Sequence, residues 1–182
     1  FSPAFWEARH LLSPAMISNL SPFFLTINGW ITPFSFIDAT NSSNAILSKF
    51  PIEFAENKIY KQDYGHNTKS LLHIIVNIGN IKVHVYGTQL SSDSIASSNQ
   101  VKELLSFVFE WGNDSPVIIG GNFEMTPDYK RIYEMAYYFT DVGAYFRVDE
   151  FTYPASNPYL RLDYLFSNKL VLYNNGDNLV SA

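Results

Sequence analysis

Two apolar runs, Leu71 to Val76 and Ile81 to Tyr86, stand on either side of Asn77-Ile-Gly-Asn80. Runs this short, rich in Ile, Leu and Val and separated by a Gly-Asn turn signal, predict a β-hairpin. In the second run Ile81, Val83 and Val85 alternate with Lys82, His84 and Tyr86. That is the period of a strand with one face in the core.

Other elements can be placed around this hairpin. Glu7 to Leu12 reads as a helical turn and Phe23 to Ile27 as a short strand in a Pro-punctuated, aromatic beginning. Ala45 to Leu47 reads as a buried strand running into a polar turn that Pro51 closes. From Ser94 to Trp111 the residues Ile95, Val101, Leu104, Leu105 and Val108 recur at helical spacing, with Asp93 or Ser94 placed to cap the first amides. Pro116 to Gly121 is a wholly apolar strand ending in two glycines, the pattern of a central strand that delivers a loop to a site. Thr126-Pro-Asp-Tyr129 caps a second helix to about Phe139, Phe151 to Pro158 is a loop, and Leu160 to Phe166 and Lys169 to Tyr173 form a strand pair around Ser167-Asn168. Strands and helices alternate irregularly, so the expected class is α/β or α+β with packed sheets, in a single domain spanning 1–182.

Composition narrows the functions. With 182 residues, 47% of them hydrophobic and 16% charged, the chain can bury a sizeable core. The net charge of -5 and the lack of a Lys/Arg cluster argue against a broad grip on nucleic acid, which depends on neutralising phosphates. Without cysteine there are no disulfides or thiolate metal sites. No apolar run approaches the roughly 20 residues of a membrane span.

Four segments follow apolar strands and present polar groups at their ends: Thr88-Gln-Leu90, Gly121-Asn-Phe-Glu124, Arg161-Leu-Asp-Tyr164 and Gly176-Asp-Asn178. Together with Ser43-Asn-Ala-Ile-Leu-Ser-Lys-Phe-Pro-Ile52 and Thr126-Pro127, and in that chain order, they resemble the motifs of the endonuclease/exonuclease/phosphatase superfamily. That family's run is Gly-Asn-Ala-Ile-Leu-Ser-Arg-Tyr-Pro-Ile, Thr-His-Leu, Gly-Asp-Phe-Asn with Thr-Pro, Arg-Ile-Asp-Tyr-Ile-Phe and a closing Ser-Asp-His. The resemblance implies a DNase I-like sandwich of two packed mixed β-sheets flanked by helices. The family's first strands, with an early Asn and a metal-binding Glu, find no match before Asn44. A protein partner or another chain segment is then expected to cover the open sheet edge.

The departures fall on the reactive positions. Gln89 stands where the resemblance implies a phosphate-stabilising histidine, and Asn178 where it implies the histidine that acts as general base. Asn122 and Glu124 replace the Asp and Asn of Gly-Asp-Phe-Asn, while Asp163 and Asp177 match. An amide can donate a hydrogen bond but has no basic nitrogen for proton transfer. The expectation is therefore a pseudoenzyme with no catalytic residues and no cofactor, acting as a binding or scaffolding module in a larger assembly. One alternative is a divergent Mg²⁺-dependent phosphodiesterase or phosphatase holding metal on Glu124, Asp163 and Asp177, a hard cation on oxygen ligands. Another is a sensor that binds a phosphate or sugar without cleaving it. The stronger reading of those three acids is solvated or hydrogen-bonded side chains. Arg161 either clamps an anion or pairs with Asp163 or a neighbouring carboxylate. His73 and His84, in expected strands, read as structural or solvent-facing imidazoles.

Overall fold

The structure is a computed structural model that describes residues 24–27, 44–48, 50–61, 68–111, 114–147 and 151–172. The turn expected at Glu7 to Leu12, and Asp177 and Asn178, lie outside these residues. In chain order the described elements are β1 (Phe24–Ile27), β2 (Ala45–Ser48), β3 (Ile52–Ile59), β4 (Ser70–Ile78), β5 (Ile81–Gln89), α1 (Ser94–Glu110), β6 (Val117–Asn122), α2 (Lys130–Tyr138), β7 (Thr140–Asp141), α3 (Val142–Phe146) and β8 (Asp163–Ser167). They make an α/β sandwich. A mixed sheet of six strands runs in the order β3-β4-β5-β6-β8-β7, and a second sheet consists, among the described residues, of the parallel pair β1-β2.

The hairpin forms as expected, and its turn is tighter than the sequence suggested. Gly79 and Asn80 both have positive φ (57° and 72°). Two left-handed residues make the loop whose twist matches the flanking strands, which is why Gly and Asn serve there. The alternation in β5 is misleading, however. Val83 to Thr88 are buried without a break, His84 and Tyr86 among them, and β4 is buried from Ser70 to Val76. Both faces of these strands are covered. On one face Leu71, Tyr86, Val117 and Ile119 pack under α1 through Val101, Leu104, Phe107 and Val108. On the other, Leu72, Ile74, Val83 and Val85 meet Ile46 of β2.

Strand β3 is absent from the sequence reading. Its Glu53, Glu56 and Lys58 mask the apolar signal, and pairing with β4 is what orders it. As an edge strand it carries the charges that discourage further strand addition. Helix α1 is capped as expected, with Asp93 accepting from Ile95 N and Ala96 N at 3.0 and 2.8 Å. Ile95 itself is 65% exposed, so the first turn overshoots the core. Thr126-Pro-Asp-Tyr129 forms a turn ahead of α2 and supplies no side-chain cap; Tyr129 N donates to Thr126 O at 3.0 Å. The strand expected at Lys169 to Tyr173 is not formed over its described part. Asn168 turns the chain there by accepting from Val117 N and Leu170 N and donating to Ser115 O, so β8 pairs with β6 and β7 instead. No described helix is long and apolar enough to cross a membrane.

Candidate functional site

Three of the sequence-derived positions end up side by side. Gln89 closes β5 opposite Asn122, which closes β6, and Asn122 lies opposite Asp163, the first residue of β8. Neighbouring strands lie about 5 Å apart and residues in register point to one face. Gln89, Asn122 and Asp163 therefore form a row across three strand ends. The row shares its face with Val85 and Ile118, which belong to the core against the second sheet. Backbone bonds hold the row: Leu90 N donates to Asn122 O at 2.9 Å, and Phe123 N to Leu162 O at 2.8 Å. The close approach of β5 and β6 requires Gly121, where a Cβ would fall 2.0 Å from Thr88 O.

Asn122 and Glu124 are bonded to each other in both directions. Glu124 N donates to Asn122 Oδ1 at 2.8 Å, and Asn122 Nδ2 donates to Glu124 Oε1 at 3.0 Å. This ring holds Glu124 in the left-handed region (φ 54°), which non-glycine residues enter at a cost. The family pattern Asp-Phe-Asn becomes Asn-Phe-Glu in this chain. Against the order that the resemblance implies, the carboxylate and the amide stand in exchanged places, with the amide at the strand end and the two bonded to each other.

Asp163 is half-buried, and Thr152 Oγ1 accepts from its backbone N and from Leu162 N at 3.2 and 3.1 Å. Burial raises its pKa above the usual carboxylate value, with the Thr152 hydrogen bond opposing. Arg161 is buried and bonds Asp141 at 2.6 Å, with its guanidinium 4.5 Å from the Tyr164 ring centroid. Asp141 also caps α3 by accepting from Ala144 N at 3.2 Å. The arginine thus ties β8 to α3, and its partner is Asp141 rather than Asp163.

A buried network behind the row was not read from the sequence. Asn44 Nδ2 donates to Ser70 O and Oγ at 2.7 and 3.1 Å, Thr88 Oγ1 donates to Ser70 O at 3.2 Å, and Tyr60 OH lies 2.7 Å from Thr88 Oγ1. It links the entry to β2 with the residue preceding Gln89. Burial raises the Tyr60 pKa and keeps the phenol protonated. Only the position of Asn44 in its motif hinted at this role.

His73 and His84 lie on the opposite face of the sheet, beneath α1. Among the described residues no group of three or more His, Asp or Glu side chains is placed to hold a metal ion. Of the carboxylates expected to do so, Glu124 is engaged by Asn122, burial raises the pKa of Asp163, and Asp177 lies outside the described residues.

No family model matches the sequence, and neither does any curated protein. Solved structures do match. Sphingomyelinase C from Streptomyces griseocarneus is 20% identical with a TM-score of 0.54, over 72% of this chain and 55% of that one. The human Nocturnin catalytic domain with bound sulfate is 14% identical with a TM-score of 0.54, over 66% and 48%. An endonuclease/exonuclease/phosphatase family protein from Bacteroides thetaiotaomicron is 14% identical with a TM-score of 0.53, over 66% and 52%. The chain spans about half the length of these structures. The chain therefore has the DNase I-like fold of the endonuclease/exonuclease/phosphatase superfamily.

Proposed function

We propose that this chain is a non-catalytic form of the DNase I-like fold that acts as a binding or scaffolding module within a larger assembly. The row of Gln89, Asn122 and Asp163 carries this reading. Two amides and a carboxyl stand in register at the strand ends, while the described imidazoles lie buried on the other face. Amides donate and accept hydrogen bonds but do not exchange protons at neutral pH, and each lost acid or base removes roughly 10²–10⁴-fold in rate. The exchange of Asn122 and Glu124 points the same way, since it preserves a turn rather than a charge. The described second sheet has only two strands, and its edges offer a partner, or another segment, a place to pair.

A second reading, the divergent metal-dependent hydrolase, draws on Asp163. A carboxyl whose pKa burial raises is the candidate base in the row. Incubation with Mg²⁺ or Mn²⁺ and generic phosphodiester and phosphomonoester substrates separates the two. The module reading expects no turnover above the buffer blank. Metal-dependent turnover that disappears in Asp163→Ala sinks it. Native mass measurement tests the assembly, and a monomer that takes up no partner while binding inorganic phosphate at the amide row moves the reading to a ligand sensor.

A further inference from the structure

We propose that the buried pair His73 and His84 is an acid-sensitive latch that holds the C-terminal end of α1 on the sheet. His73 on β4 and His84 on β5 are 0% and 7% exposed. Their rings stack with centroids 5.1 Å apart, and Nε2 of His73 lies 3.0 Å from Nδ1 of His84. Tyr86 stacks on His73 at 4.3 Å, and Phe54 of β3 lies at 5.3 Å. Helix α1 covers the pair with Trp111, just past its last turn, and Phe107, both edge-on to His73 at 4.7 and 5.8 Å. Aromatic rings surround His73, and Ile75 stands in register with His84.

The N···N bond uses one proton between the two rings. A further proton either removes the accepting lone pair or leaves a cation inside the cage. Nδ1 of His73 and the hydroxyl of Tyr86 are already buried without a hydrogen-bond partner among the described residues. The charged groups around the cage give no relief. On β3, Glu53 pairs with Lys82 of β5 at 3.4 Å, and Lys58 pairs with Glu110 of α1 at 3.7 Å. Glu56, in register with His73, is exposed. Lys82 repels a proton from His84.

Burial, and then the neighbouring His84, hold the His73 pKa down to about 3, against a reference value of 6.5. Burial and then Lys82 lower that of His84. Both pKa values are depressed in the folded state, so the latch is complete above the reference value of 6.5 and weakens as pH falls toward about 3. Each imidazole released on opening raises the opening constant by about tenfold per pH unit within that window. Lifting Phe107 and Trp111 admits water to the pair without unpairing β4 and β5, so the helix end is the part that yields.

Hydrogen exchange across α1 tests this at pH 7.5, 6.5 and 5.5, with rates corrected for the intrinsic effect of pH. In the wild type, where two imidazoles are released, protection over Leu104 to Glu110 should fall more steeply than tenfold, up to about a hundredfold, per unit below pH 6.5, while the Ser97 to Val101 amides change less. His84→Gln keeps a hydrogen-bonding side chain and cannot titrate, which leaves His73 alone, so its decline should be shallower, at most about tenfold per unit. Imidazole C–H NMR shifts need no variant; that of His73 should hold at its neutral value down to pH 5.5, and His84 should titrate below 6.5. Titration of either ring near 6.5 with α1 protection unchanged overturns the proposal. So does an identical decline in His84→Gln.

Discussion

The two faces of the six-stranded sheet use polar side chains in opposite ways. Under α1, imidazoles and a phenol that could move protons are sealed among aromatic rings, and two of their polar atoms lack partners among the described residues. On the other face, the strand ends present amides and acids, with Asn122 drawn into a local pair with Glu124, while Arg161 is paired with Asp141. The chain has not lost its titratable groups. The imidazoles His73 and His84 are buried beneath α1, while the strand ends carry amides and acids. The proposed scaffold role draws on that separation more than on any single substitution.

Breaking the paired side should cost most at Asp141. Asp141→Ala strands the Arg161 guanidinium, 7% exposed, and uncaps α3. A loss of about 3–5 kcal/mol is expected in urea unfolding, because an unpaired buried charge is the dominant penalty. A loss below about 1 kcal/mol would mean that Arg161 has another outlet. Gly121→Ala should follow, at about 2–3 kcal/mol, since a Cβ 2.0 Å from Thr88 O forces β5 and β6 apart. Cross-strand NOEs between Gln89 and Asn122 should vanish in any folded fraction.

The exchanged pair offers a sharper test. Asn122→Asp sets a carboxylate against Glu124 and should cost about 1–2 kcal/mol at pH 7. Adding Glu124→Asn, which recreates the family order, should recover about 1 kcal/mol or more as coupling in a double-mutant cycle. Strict additivity would refute the idea that the two positions changed places as a unit.

The smallest effect belongs to Asp163→Asn. The raised pKa of Asp163 means that folding disfavours its charge. Its contribution is complete below the reference value of 3.8 and is lost as pH rises through the higher folded value. The variant should therefore gain up to about 1 kcal/mol over wild type at pH 7 and match it near pH 3. A destabilised variant at neutral pH would mean that the Thr152 hydrogen bond to the carboxylate outweighs the cost of burying it.

Local signals account for much of what was legible. The hairpin, α1 with its Asp93 cap and the strand leading to Gly121 each announce themselves within a dozen or so residues, through periodicity, turn chemistry or capping. The row of Gln89, Asn122 and Asp163 was readable as motif positions, although nothing local said that the three would stand in register. Strand β3 was hidden because an edge strand needs apolar residues on little of its surface, and its charges read as loop. The second strand expected after Asn168 failed because a side-chain amide that bonds residues more than 50 positions away outweighs local propensity.

By itself the sequence determined which side chains are available at the strand ends: Gln89, Asn122, Glu124 and Asp163, with acids and amides in place of imidazoles. Tertiary structure alone decided how they are employed. Asn122 closes on Glu124, Arg161 reaches Asp141 across 20 residues, and alternation that implied one buried face of β5 gives way to burial on both, enclosing His73 and His84. The physical reason is that desolvation and partner choice depend on what packs from distant parts of the chain. The same imidazole is a base in water and a neutral ring beneath Trp111.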